Sequence, residues 1–113
     1  SAWTQAQETD QALETLDKAA KLADDGKLYL RKAQLCYGQA EWKCTIKAAE
    51  QAAAKGGLDE PGNAYLMKGM ALTQVEQYDQ AKEAFHKAER YDSTRKQAKG
   101  WIKYVQTTEA ATS

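Results

Sequence analysis

The residues best suited to chemistry in this sequence are its two cysteines, Cys36 and Cys44, in the stretch CYGQAEWKC. A structural zinc site needs four ligands, usually from two close pairs, and thioredoxin-type chemistry needs Cys-x-x-Cys. The sequence has neither pattern. Two interpretations stay open: a disulfide across a turn, which requires an oxidising compartment, or a reduced pair with Cys36 in the core and Cys44 at the surface.

The other polar residues do not form a catalytic constellation. His86 is the sole histidine, and no second His or Cys lies near it in the sequence. Asp24-Asp25 and Asp59-Glu60 suit helix caps and loops better than metal coordination or acid–base work. We therefore expect no enzyme activity, no cofactor and no metal site.

The composition indicates one helical domain with no net charge and therefore no strong overall electrostatic field. The 113 residues include 16 basic and 16 acidic side chains and one proline. Ala, Lys, Glu and Gln dominate, and these residues lose little side-chain freedom in a helix. Balanced charge argues against nucleic acid as a partner, and the apolar runs are too short for insertion into a membrane.

The sequence repeats itself at an offset of 36 residues (65 − 29). Residues 29–52 align without a gap with residues 65–88, and both begin with Tyr-Leu-x-Lys. Equivalent positions are Ala33 and Gly69, Cys36 and Leu72, Trp42 and Tyr78, Ile46 and Lys82, Ala49 and Phe85, and Ala52 and Ala88. A further step of 36 reaches Trp101, and residues 9–23 match the second half of the unit.

Each unit has the periodicity of two helices joined by a short polar turn. Loop signals such as Gly56-Gly57 and Pro61 separate the units. We predict one domain over residues 1–113, belonging to a longer protein. Its parts are a partial repeat (3–24), two full repeats (27–57 and 62–93), a capping helix (94–107) and a disordered tail (108–113).

This unit resembles the tetratricopeptide repeat, whose pattern is W-x2-L-G-x2-Y, then A-x3-F-x2-A, then Pro. The second copy matches at Tyr65, Gly69, Ala81, Phe85 and Ala88, and departs at Lys68, Leu72 and Ser93. The first copy matches less well, because Thr45 and Ala49 replace the small and the aromatic residue of the pattern, and Gly57 stands where Pro is usual. The resemblance implies an all-α solenoid of helical hairpins, a fragment of a right-handed superhelix.

The resemblance also implies a concave partner-binding groove lined by the first helix of each unit. The equivalent positions are Lys27, Leu30, Arg31 and Gln34; Asn63, Leu66, Met67 and Met70; and Lys99, Ile102, Lys103 and Gln106. Leu30, Leu66 and Ile102 would form an aliphatic stripe flanked by positive charge. We expect a non-catalytic interaction module that binds a peptide or partner segment with an apolar anchor and acidic or carboxylate neighbours.

Other readings remain open. The alternative interpretation is a structural adaptor in a bacterial envelope or secretion assembly, without a dedicated peptide site. Residues 1–26 carry a net charge of −4 and residues 82–103 a net charge of +4, which would favour weak head-to-tail self-association. The copies and the segment 93–106 also resemble bacterial tetratricopeptide proteins that accompany TonB-type energy transduction, which would imply a periplasmic location.

Overall fold

The computed structural model describes residues 2–112, and their regular structure is entirely helical. The helices are α1 (Ala2–Leu22), α2 (Lys27–Gly38), α3 (Trp42–Lys55), α4 (Gly62–Gln74), α5 (Tyr78–Ala88) and α6 (Arg95–Thr112). None of the described helices is long and apolar enough to cross a membrane.

The helices form consecutive hairpins. α2 packs against α3 and α4 against α5, while α3 also packs on α4 and so joins the two hairpins. α1 packs on α2, and α6 packs on α5 and α4. The molecule measures 40 × 34 × 17 Å, so it is a slab two helices thick, since one helix with its side chains is about 10 Å across. The first helices of each unit, α2, α4 and α6, are neighbours in this slab.

The two hairpin turns have the same backbone conformation. Ala40 (φ 58°) and Glu76 (φ 62°) are equivalent in the repeat, and both lie in the left-handed region. The amide that follows each of them donates to a carbonyl of the preceding helix, Glu41 to Cys36 at 2.9 Å and Gln77 to Leu72 at 3.0 Å. These bonds end the first helix of each hairpin and turn the chain into the second.

The larger part of the core lies where α4, α5 and α6 meet. Phe85 is fully buried in it, and its ring stacks on Trp101 with centroids 5.6 Å apart. Gly69 lies directly beneath the Phe85 ring, because a Cβ at this position would come within 2.6–2.8 Å of three ring atoms. The small residue therefore lets α4 and α5 approach closely, as the repeat pattern predicts.

The C-terminal helix is longer than we expected. We predicted a capping helix over 94–107 and a disordered tail from residue 108, but α6 continues to Thr112. The sequence here consists mainly of Ala and Thr with one Glu, and it has no Gly or Pro to end the helix. The Glu109 carboxylate also accepts a 2.8 Å hydrogen bond from the Lys82 ammonium, which ties the extra turns to α5. Ser113 lies outside the described residues.

Candidate partner-binding face

The predicted groove residues lie on one face of each first helix. Within α2, α4 and α6 they are spaced i, i+3, i+4 and i+7, which places each row along one side of its helix. Because α2 contacts α4 and α4 contacts α6, the three rows are neighbours. We call these twelve residues the first-helix face.

The aliphatic stripe predicted on this face is mostly buried. Leu66 is 9% exposed and Ile102 is 8% exposed, and both belong to the core cluster around Phe85. Leu30 is half-buried against the cluster that contains Tyr29. These side chains pack in or against core clusters, so they stabilise the fold and leave little surface for a ligand.

Two methionines are the apolar side chains that remain accessible in the α4 row of this face. Met67 is half-buried and packs beside the cluster containing Ala33 and Ala49. Met70, one turn further, is also half-buried and packs on the larger core. Since a thioether side chain has three rotatable bonds, this pair can change the shape of its accessible surface.

Positive charge on the face is only partly compensated. The Lys27 ammonium lies 3.7 Å from the Asp59 carboxylate, an exposed pair of small energetic value. Arg31, Lys99 and Lys103 are exposed and form no ion pair with another residue in the range 2–112. The charges of these three side chains are therefore not compensated by another described residue.

The polar members of the face complete its chemistry. Gln34 and Gln106 are exposed, so their amides are accessible from solvent. The Asn63 side-chain amide instead donates a 2.9 Å hydrogen bond to the Glu60 carboxylate, which occupies one of its donors. The face thus combines free cations, amides and two adaptable apolar side chains.

Cys36 and Cys44 are bonded to each other in the structure, with Cα atoms 5.8 Å apart. The bond links the last turn of α2 to the first turn of α3, across the hairpin turn. Cys36 is fully buried, as expected from its equivalence to the core residue Leu72. Tyr37 and Trp42 pack edge-to-face beside the bridge at 5.2 Å. A sulfur in this bond is not a metal ligand, so its role here is structural.

The described residues hold no other grouping with evident chemistry. No group of three or more His, Cys, Asp or Glu within 2–112 is placed to hold a metal ion. His86 is exposed on α5, and its Nδ1 lies 3.1 Å from the Glu89 carboxylate one turn away. This surface contact resembles many ordinary helix pairs and does not form an acid–base site.

Sequence reasoning missed the contacts that attach α1. The Lys55 ammonium donates to the carbonyls of Ala20 and Lys21, at 2.7 and 3.0 Å, and so caps the carboxyl end of α1. Lys32 on α2 donates a 2.8 Å hydrogen bond to Asp17, and this bond lowers the pKa of the Asp17 carboxyl. Both contacts join different helices, so no local sequence pattern signals them.

Comparison with known proteins gives a structural match only. The sequence matches no protein-family model and no curated protein. Among solved structures, the Arabidopsis OM64 TPR domain is similar over 95% of this chain and 88% of its own length, with a TM-score of 0.75 and 19% identity. At this identity the likeness establishes the fold, which agrees with the helical hairpins described above. The chain therefore has the all-α fold of a tetratricopeptide-repeat domain.

Proposed function

We propose that this chain is a non-enzymatic protein–protein interaction module that binds an acidic, apolar-anchored peptide or partner segment on its first-helix face. The observation that carries the proposal is the presence of three uncompensated cations, Arg31, Lys99 and Lys103, on the same face as Met67 and Met70. The fold supports it further, because stacked first helices present an extended surface.

The chemistry of the face selects the ligand. A Leu or Met side chain of the partner would contact the two methionines, which supply adaptable apolar surface. Carboxylates on either side of that anchor would meet Arg31 at one edge and Lys99 and Lys103 at the other. Arg31 can hold a carboxylate through two parallel hydrogen bonds, whereas the lysines act as point charges.

Fluorescence anisotropy can test this with a panel of labelled peptides that combine a Leu or Met anchor with Asp and Glu. Each peptide is matched by a version with Gln and Asn in place of the acids. We expect binding of the acidic versions, weakened by salt and weakened about tenfold, or ~1.4 kcal/mol, by Arg31→Glu or Lys103→Glu. Lys47→Glu is the matched control, since Lys47 is exposed on α3 and off this face.

The outcomes separate binding on the first-helix face from binding through the overall charge of the protein. Binding that Lys47→Glu weakens as much as Arg31→Glu would reflect overall charge and contradict a site on this face. Binding that neither change affects would place the ligand elsewhere.

A structural adaptor without a peptide site is the second candidate. It is favoured by one observation: Leu66 and Ile102, which would anchor a ligand in a longer groove, are already buried between helices. An adaptor of this kind would hold neighbouring domains through its edges. If no peptide of the panel binds, the adaptor becomes the better account.

A further inference from the structure

The two complete hairpins differ in the size of the side chains that fill their cores. In the α4–α5 hairpin, Leu72 and Phe85 are at most 2% exposed. The equivalent residues of the α2–α3 hairpin are Cys36 and Ala49, which are at most 1% exposed. The same positions are buried in both hairpins, but those of α2–α3 hold much smaller side chains. The α2–α3 hairpin therefore removes less apolar surface from water, which is the main stabilising contribution to folding.

The surrounding core clusters show the same difference. The clusters that include α2 and α3 have mostly alanine as their buried residues: Ala33, Ala48 and Ala49 in one, and Ala20, Tyr29, Ala52 and Ala64 in the other. The cluster formed by α4, α5 and α6 contains larger buried side chains: Leu66, Leu72, Phe85, Ile102 and Val105. Helices α4–α6 thus have a well-filled core of their own, whereas α1–α3 are held together by small side chains.

The contact between α3 and α4 joins these two parts. Ile46 of α3 reaches the larger core only as a half-buried side chain. The Lys68 ammonium of α4 lies 3.1 Å from the Glu50 carboxylate of α3, but the Glu50 side chain is 52% exposed, so this ion pair contributes little. α1 belongs with α2 and α3, because it packs on α2 and its Ala20 carbonyl accepts a hydrogen bond from Lys55 of α3.

The bridge between Cys36 and Cys44 lies wholly within the α1–α3 part. It closes the hairpin between residues eight positions apart. Because a cross-link restricts the unfolded chain, the intact bond disfavours opening of this part. Cys36 is fully buried and Cys44 is half-buried, so the Cys44 sulfur is the one that an external thiolate can reach.

We propose that this bridge is a redox latch, whose reduction by a dithiol releases α1–α3 while α4–α6 stay folded. One thiolate of the dithiol attacks the Cys44 sulfur, the S–S bond breaks, and Cys36 leaves as a thiolate that takes up a proton. The second thiol of the reductant then displaces Cys44 from the mixed disulfide. Two electrons and two protons pass to the bridge, and the dithiol becomes a disulfide.

The latch has a consequence for the first-helix face. Arg31 lies on α2, whereas Met67 and Met70 lie on α4. Release of α1–α3 therefore separates Arg31 from the methionines and weakens peptide binding. This consequence rests on the proposed function, but the latch itself is tested without a peptide, so failure of one is distinguishable from failure of the other.

Two of the three tryptophans report on the two parts separately. Trp42 on α3 packs against Tyr37, and Trp101 on α6 stacks on Phe85. NMR of ¹⁵N-labelled protein follows their indole N–H signals through a urea titration, with and without excess dithiothreitol. The backbone amides of the buried residues Ala48 in α3 and Val105 in α6 serve as a second pair of probes.

In the reduced protein, we expect Trp42 and Ala48 to lose their native signals at a lower urea concentration than Trp101 and Val105. At a fixed urea concentration within this first transition, reduction should raise the ratio of open to closed α1–α3 by about 30- to 100-fold. Cys44→Ser is the matched control, because it retains Cys36 and cannot form the bridge. It should titrate like the reduced wild type, with or without dithiothreitol.

Three results would overturn the proposal. Simultaneous loss of the Trp42 and Trp101 signals in the reduced protein would show that α1–α3 do not open separately. An unchanged midpoint for Trp42 and Ala48 on reduction would show that the bridge does not hold this part closed. A Cys44→Ser titration that responds to dithiothreitol would show that the reductant acts elsewhere.

Discussion

Replacing Gly69 by alanine tests the close approach on which the α4–α5 hairpin depends. A new Cβ would lie 2.6–2.8 Å from three atoms of the Phe85 ring. That ring is fully buried and stacked on Trp101, so it has no free space to move into. Overpacking of this kind costs about 1–3 kcal/mol, against a gain of about 1 kcal/mol from replacing glycine inside a helix.

Gly100→Ala is the matched control, because it makes the same substitution inside α6 where a Cβ meets nothing within 4 Å. We expect this variant to be about 0.5–1 kcal/mol more stable than the wild type. Gly69→Ala should be less stable than Gly100→Ala by the whole packing cost, about 1–3 kcal/mol. Urea unfolding followed by circular dichroism, at concentrations where the chain is monomeric, measures both. Equal stability of the two variants would refute the packing argument.

Three further predictions concern other parts of the fold. Glu76→Gly should stabilise the protein by about 1 kcal/mol, because Glu76 has a positive φ that favours glycine. Glu83→Gly, inside α5, should destabilise it by about as much. If urea unfolding shows Glu83→Gly to be the more stable of the two variants, the turn geometry is contradicted. A thiol assay on the denatured, unreduced protein should find no free thiol, and reduction should lower the free energy of unfolding by about 2–3 kcal/mol; two free thiols would rule the bridge out. The Asp17 pKa is lowered by Lys32, so the stability that Asp17 contributes is present above its unfolded pKa of about 3.9 and is lost as the pH falls through the folded value. Asp17→Asn should therefore be less stable than the wild type at neutral pH and similar to it in acid, and a constant difference across this range would show that the pair does not act through ionisation.

The fold was predictable because the repeat carries much of it. The 36-residue offset pairs Gly69 with Ala33, which are both small, and Phe85 with Ala49, which are both apolar. These pairs show which positions are small or apolar where two helices pack. A hairpin fold of this kind is set by contacts between helices that are adjacent in sequence. Those contacts recur at a fixed spacing, so a single sequence reveals them.

The surface was less predictable, because the exposure of a side chain depends on how helices from different units pack together. Leu66 and Ile102 lie in the expected rows, yet the packing of α4, α5 and α6 buries both. The contact of Lys55 with the end of α1 joins residues 35 positions apart. The length of α6 depends partly on the pairing of Lys82 with Glu109, 27 positions away. None of these contacts has a local sequence pattern.

The most direct test of the proposed binding role uses the methionines. Met67 and Met70 are the only two in the sequence, and both belong to the first-helix face. Methyl NMR of protein labelled at methionine therefore gives two signals, and both come from this face. On titration with an acidic, Met- or Leu-anchored peptide, the account predicts that both signals shift and saturate at the same peptide concentration. In Arg31→Glu, saturation should require about tenfold more peptide. A peptide that binds by anisotropy while both methyl signals stay unmoved would contradict it.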